Sequence, residues 1–150
     1  MLRLAPLIKS KQLTIAVAES CTGGLLSSTL TDTDGASAWF IGGVIAYDRS
    51  AKQRLLDICW DWDLETMSRD CARKMNLALK TRLEADIYCS VVGMIESHVW
   101  IHVIHPGGQT TRRLEMPPGA EDMTSVTRMV NKRIVVNEVL LILEDVLSSD

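Results

Sequence analysis

No run of the 150-residue chain approaches the roughly 20 consecutive apolar residues that a membrane-spanning helix needs. The N-terminal MLRLAPLIKSKQ is too short, and too broken by Pro6 and Lys9, to form the apolar core of a secretory signal. A basic surplus is also missing. The 16 Lys and Arg stand against 19 Asp and Glu, a formal charge of -3, so the chain as a whole lacks the positive face that displaces counterions from nucleic-acid phosphates. Cysteine is sparse and scattered: Cys21, Cys59, Cys71 and Cys89 include no C-x-x-C pair, and the histidines form no cluster at metal-ligand spacing, which argues against zinc. The expectation is a cytoplasmic chain with reduced thiols, three of them acting as small buried hydrophobes and Cys21 set apart by its position. Neither a membrane nor a nucleic-acid partner is expected.

What is present suits one folded domain over residues 1–150. Hydrophobic residues make up 47% and charged residues 23% of the chain, close to the average for a globular protein and far from a disordered composition. A chain of this length buries roughly 70% of its unfolded surface, enough for a core.

Residues Leu13 to Ala18 are almost all apolar, as in a strand covered on both faces. The run from Gly24 to Thr31 has helical spacing, and WFIGGVIAYD reads as a second strand in which Gly42 and Gly43 mark a bulge or a close backbone approach. A short helix is expected in SAKQRLLDI with Ser50 near its N-cap, then a long amphipathic helix capped by Asp63. DIYCSVVGM, HVWIHVIHP and TTRRLEM read as three antiparallel strands, with PGGQ the clearest turn between them. A last helix presents Met123, Val126, Met129, Val130, Val139, Leu140 and Leu143. This order predicts an α/β fold with a mixed sheet and helices packed on its faces.

The stretch AESCTGG lies where the first strand turns into a helix, the edge at which open α/β sheets place their sites. A helix N-terminus offers unsatisfied N–H groups and partial positive charge, and Gly23 and Gly24 leave room beside them, so the turn reads as an anion site. Ser20 is placed like a hydrolase nucleophile, although G-x-S-x-G is not matched, and such a serine needs a base. His98, His102 and His105 share one strand segment, with His98 and His102 on the same face, and read as surface residues of an edge strand. Lys52, five residues after Tyr47, is the other candidate: burial would lower its pKa and free the amine to take a hydroxyl proton. The plainer alternative is a helix cap at Ser20 or Thr22, a core cysteine, a glycine turn and a solvated lysine.

AESCTGGLL, DGASAWFIGG and AYDRSAKQRLL resemble the C-terminal domain of the competence/damage-inducible CinA family, in which AESCTGG, GSSAWF and Y-S-N-E-A-K follow in this order and at matching spacing. EADIYCSVVG, HVWIHV and TTRRLEM extend the likeness more weakly over most of the chain. The resemblance implies a three-layer α/β/α fold with a mixed central sheet, often oligomeric. It also implies nicotinamide-nucleotide amidase activity, the hydrolysis of nicotinamide mononucleotide to nicotinate mononucleotide and ammonia. Carried over by position, Ser20 is the nucleophile or the residue that orients water, with Tyr47 and Lys52 as its activating partners. Glu19, Cys21, Thr22, Gly23 and Gly24 form the ligand-binding turn. The basic residue of the last helix is Arg128 in one register and the Lys132 and Arg133 pair in another. The implied partners are a phosphorylated pyridine nucleotide and further copies of the chain, with no cofactor and no metal.

The chain departs from that pattern where the family carries a Gly/Pro-rich loop of the type T-G-I-A-G-P-G-G-G, because VVGMIESHVW passes almost directly into the next strand. DWDLET replaces A-V-S-E-E, Arg49 replaces an asparagine, and GAEDM lacks the arginine of G-D-R. Two functional readings therefore stand: an amidohydrolase, and a non-catalytic paralogue that binds a nucleotide or a protein partner.

Overall fold

The computed structural model describes residues 3–59 and 65–149. One five-stranded sheet runs through it in the order β2-β1-β3-β4-β5. Its strands are β1 (Ile15–Glu19), β2 (Phe40–Ile45), β3 (Ile87–Met94), β4 (His98–His105) and β5 (Gly108–Glu115). Strand β1 pairs in parallel with both β2 and β3, whereas β4 is antiparallel to β3 and to β5, so the sheet is mixed as expected.

Helices α1 (Leu4–Ser10), α2 (Leu25–Thr31) and α5 (Ser125–Ser148) cover one face, where Leu4, Ile8, Leu26, Leu30 and Val139 pack on Ile15 and Val17. Helices α3 (Arg49–Leu56) and α4 (Arg69–Lys80) cover the other, where Leu56, Cys71, Met75 and Leu79 pack on Ala16, Ala18, Tyr88 and Val92. The period-two alternation of a strand divides β1 between these layers, Ile15 and Val17 on one side and Ala16 and Ala18 on the other. All five residues of β1 are buried, which accounts for the apolar run from Ile15 to Ala18. Among the described residues, no helix is long and apolar enough to cross a membrane.

Of the two glycines of β2, Gly43 makes the close backbone approach its sequence suggests, whereas a Cβ on Gly42 would meet nothing within 4 Å. The register slips between Ile15 and Ala16, and a Cβ on Gly43 would lie 2.5 Å from the Val17 carbonyl oxygen. Side-chain-free backbone is what lets β2 lie this close to β1.

Several expectations are corrected. Helix α3 is capped by Asp48, whose carboxylate accepts from the Ala51 N–H at 2.7 Å, and Ser50 lies inside the first turn. Helix α4 begins at Arg69 under a Ser68 cap, shorter than the amphipathic pattern suggests; Asp63, Trp60 and Trp62 lie outside the described residues. Strand β4 is internal and α4 packs over the face that carries His102, where Asn76 meets its ring, so His102 is buried rather than at an exposed edge. The apolar residues opening the last helix do not form its packed face: Val126, Met129 and Val130 are exposed, and the buried stripe starts at Asn131. Of the four thiols it is Cys59 that is exposed, while Cys21, Cys71 and Cys89 are buried. The N-terminal segment, assigned no element from its sequence, forms α1 and packs against α5 through Leu4 and Ile8.

Candidate active site at the carboxyl end of the central strand

Strand β1 ends in two polar residues that alternation sends to opposite sides of the sheet. Glu19 follows Ile15 and Val17 toward α2, and Ser20, just past the strand, follows Ala16 and Ala18 toward α3. The Ser20 N–H continues the parallel ladder by donating to the Val91 carbonyl at 2.9 Å.

Glu19 is fully buried and its carboxylate accepts five hydrogen bonds: from Thr22 Oγ1 at 2.6 Å, Gly24 N–H at 3.1 Å, Leu26 N–H at 3.0 Å, Ser27 N–H at 2.7 Å and Ser27 Oγ at 2.6 Å. The anion held by the start of α2 is thus the protein's own side chain. The neighbouring donors are also engaged, Gly23 N–H with the Ser20 carbonyl and Leu25 N–H with the Thr22 carbonyl. The donors of the turn, read from the sequence as facing a ligand's phosphate at Glu19, Thr22, Gly23 and Gly24, are thus taken up within the protein. Gly23 and Gly24 instead adopt φ of +60° and +99°, the backbone that threads the chain around the Glu19 carboxylate.

On the opposite side, Lys52 Nζ donates to Ser20 Oγ at 2.8 Å and to the Tyr47 carbonyl at 2.8 Å, and Ser20 Oγ donates to the same carbonyl at 3.2 Å. Lys52 reaches this position from the first turn of α3. Its N–H bonds the Asp48 carbonyl, and the Asp48 side chain caps the same turn. The Lys52 side chain is almost completely buried. Burial lowers its pKa from the ordinary 10.5 by disfavouring the ammonium, against weaker opposing influences from Cys71, Cys21 and Asp48. A buried amine in contact with a serine hydroxyl and displaced toward its neutral form is the arrangement that can remove the hydroxyl proton. Neither His98 nor His102 reaches Ser20: His98 bonds Ser97, and His102 meets Asn76 at 2.9 Å.

Ser20 opens into a cleft of about 210 Å³ lined by Ser20, Cys21, Tyr47, Met67, Gly93, Met94, Ile95, Glu96 and Arg128. Cys21 is the cysteine at this wall, but burial raises its thiol to about 12, so it is a thiol wall rather than a thiolate nucleophile. Tyr47 serves twice. Its carbonyl aligns Ser20 and Lys52, while its half-exposed ring places the phenol oxygen 3.1 Å from Arg128 Nη2, which donates to it. Of the two registers open for the basic residue of the last helix, Arg128 lines the cleft. Lys132 lies against the α2 turn, 3.6 Å from where a Gly23 Cβ would be, and Arg133 is exposed.

Sequence reasoning missed Gly93, Met94, Ile95 and Glu96. Parallel pairing of β1 with β3 sets Val91 beside Glu19, so whatever follows Val91 must stand at the edge where Ser20 emerges. The β3-β4 turn is short, with Ser97 N–H bonding the Met94 carbonyl at 2.9 Å. A Cβ on Gly93 would meet the His98 carbonyl oxygen at 2.5 Å, so the hairpin closes tightly over this position. Among the described residues, no group of three or more His, Cys, Asp or Glu could hold a metal ion.

Comparisons with known proteins agree with this architecture. The family model for the CinA C-terminal domain matches residues 2–138. The chain is 42% identical over 90 residues to the "CinA-like protein" of Thermotoga maritima, covering 59% of this chain and 22% of that protein. It is 41% identical over 113 residues to the "CinA-like protein" of Thermosynechococcus vestitus, covering 73% of this chain and 25% of that one. The chain thus spans about a quarter of the length of these curated relatives. A CinA superfamily protein from Klebsiella pneumoniae 700603 superposes with a TM-score of 0.87 at 21% identity, covering 99% of this chain and 95% of the other. A competence/damage inducible protein from Agrobacterium tumefaciens superposes at 0.81 with 24% identity, covering 98% and 92%, and both likenesses speak for the fold. With the family model matched over most of its length, the chain belongs to the CinA C-terminal domain family.

Proposed function

We propose that this protein is a serine–lysine amidohydrolase acting on the carboxamide of a phosphorylated pyridine nucleotide such as nicotinamide mononucleotide. The observation that carries the reading is the 2.8 Å contact between the buried Lys52 Nζ and Ser20 Oγ. In the reacting form Lys52 is neutral and takes the Ser20 proton as Oγ attacks the carboxamide carbon. The tetrahedral intermediate collapses with transfer of that proton to the leaving nitrogen, releasing ammonia and leaving an acyl ester on Ser20. Water, deprotonated by the same amine, hydrolyses the ester to the carboxylate and restores the serine. Arg128 supplies positive charge to the ligand, and Tyr47 holds Arg128 at the rim. No cofactor enters this scheme.

The test is ammonia release from nicotinamide mononucleotide and other pyridine-nucleotide amides, with Ser20→Ala as the control. Release that the substitution abolishes supports the proposal, and none across the panel overturns it.

A second reading, a non-catalytic paralogue that binds a nucleotide or a protein partner, is favoured by the hairpin that stands where the family's Gly/Pro-rich loop would be. A positioning loop contributes to the near-attack geometry on which catalysis depends. Thermal-shift measurement addresses this reading, since a nucleotide at 100 times its dissociation constant adds about 2.7 kcal/mol of stability. We also propose self-association and a cytoplasmic location. Exposed Ile41 and Ile45 on edge strand β2 support self-association, and light scattering tests it. Localisation of a tagged chain tests the second.

A further inference from the structure

The Ser20 cleft has one acidic and one basic wall. Glu96 lines it from the β3-β4 turn and Arg128 from α5. Among the described residues, no ion pair joins these two charges. Glu96 is exposed, yet its position on the backbone is held from both sides. Asn131, fully enclosed on α5, donates its side-chain amide to the Ile95 carbonyl at 2.9 Å and to the Ala120 carbonyl at 3.1 Å. The Ser97 carbonyl accepts from Met116 N–H at 2.8 Å. Asn131 also stands one helical turn after Arg128, so a single clamp fixes the acidic wall relative to the basic one. The cleft, about 210 Å³, is smaller than the roughly 300–1,000 Å³ of ordinary ligand pockets, so it admits the reactive end of a ligand rather than a whole nucleotide.

We infer that the Glu96 carboxylate makes this cleft selective for a carboxamide attached to a cationic group, such as a pyridinium ring or an ammonium-bearing carbon, while Arg128 faces the ligand's anionic end. The inference rests on the amidohydrolase reading for the word carboxamide, but the charge selection is a property of binding and is measured without turnover. A neutral or anionic amide gains nothing from Glu96, and its entry brings no charge to offset the carboxylate it approaches. At a hydrated mouth the preference is modest and weakens with salt.

The experiment compares two rings that differ in permanent charge, 1-methylnicotinamide and nicotinamide, by ligand-observed NMR titration of the Ser20→Ala protein at low ionic strength, so that no amide is consumed. The cation is expected to bind about two- to fivefold more tightly, in the range of one partly exposed charge pair. Glu96→Gln is expected to reduce that ratio to about one without changing the melting temperature, because Glu96 is exposed and only its charge is removed. Equal binding of the two rings, no binding of either, or a ratio unchanged by Glu96→Gln overturns the inference. Charge-selective binding without ammonia release from the unsubstituted protein would reject the hydrolase reading and leave this one standing. Ammonia release with no charge preference would do the reverse.

Discussion

Glu19 and Ser20 are neighbours in the chain, but their side chains belong to opposite layers of the protein. Glu19 is enclosed by the donors that open α2, and Ser20 meets Lys52 of α3. One position of strand alternation separates a carboxylate enclosed by its own helix start from a hydroxyl held by a buried amine, and the two residues answer to different tests.

Glu19→Gln removes the charge and presents an NH₂ where the native oxygens accept from N–H and hydroxyl donors. It is expected to destabilise the protein by about 2–4 kcal/mol, read as a lower urea midpoint at unchanged slope. Unchanged stability combined with lost ligand binding would return Glu19 to the ligand site.

Lys52→Met is expected to separate stability from activity. Any hydrolysis should fall about a thousandfold or more, as with Ser20→Ala, while stability at neutral pH stays level or rises because no ammonium has to be buried. The sign of the pH effect follows from the lowered pKa of Lys52. Between its folded value and 10.5 the unfolded chain carries the extra proton, so stability climbs with pH through that window and is least below it. Lys52→Met should flatten that climb, and the rate of any reaction should rise with pH on its acid limb.

His102 predicts the acid side. Its imidazole is buried beside Asn76, and desolvation lowers its pKa from 6.5, with nearby Arg73 and Arg69 adding to the shift and a Gln109 hydrogen bond opposing it. The unfolded chain therefore gains a proton first as pH falls below 6.5, and stability drops from there toward the folded pKa by at most about 1.4 kcal/mol per pH unit. Urea midpoints measured from about pH 7.5 to about pH 5, across the imidazole range, should show this fall, and His102→Gln should reduce it.

Thiol labelling under native conditions should find one fast cysteine. Cys59 is exposed, whereas burial raises Cys21 to about 12, Cys71 to about 11, and Cys89 above the ordinary range. Cys59→Ser should remove the fast phase. A fast phase that survives this substitution would mean that the cleft wall at Cys21 opens readily.

Much of this arrangement was legible in the residues because local pattern and tertiary role coincide. The apolar run of β1 is buried, Gly43 lies against Val17, and the spacing of Ser20, Tyr47 and Lys52 brings the hydroxyl, the carbonyl and the amine into contact. Misreadings occurred where a residue's partner is set by packing. Asp48 outcompetes Ser50 as a cap because it occupies the extended position before the first turn. His102 looks like an exposed strand residue until β5 is seen to remove the edge and α4, through Asn76, to cover the face on which its ring stands. The first turns of α5 carry apolar residues at helical spacing, yet Asn131, Val135 and Val139 define the buried stripe, because the inward direction is set by where α5 meets the sheet. Glu19 marks the limit most clearly: a helix start predicts an anion, but not whether the chain supplies its own.

The acceptor shared by Ser20 and Lys52 is the main-chain carbonyl of residue 47, not its side chain. No codon change at that position can delete a carbonyl, so the alignment of hydroxyl and amine follows the backbone path, whereas the contact between the phenol and Arg128 depends on side chains that a substitution can remove. The alignment of Ser20 with Lys52 and the lining of the cleft are therefore set by different parts of the chain, one by backbone and the other by side chains. A substitution at residue 47 can thus change the cleft wall and leave the Ser20–Lys52 contact in place.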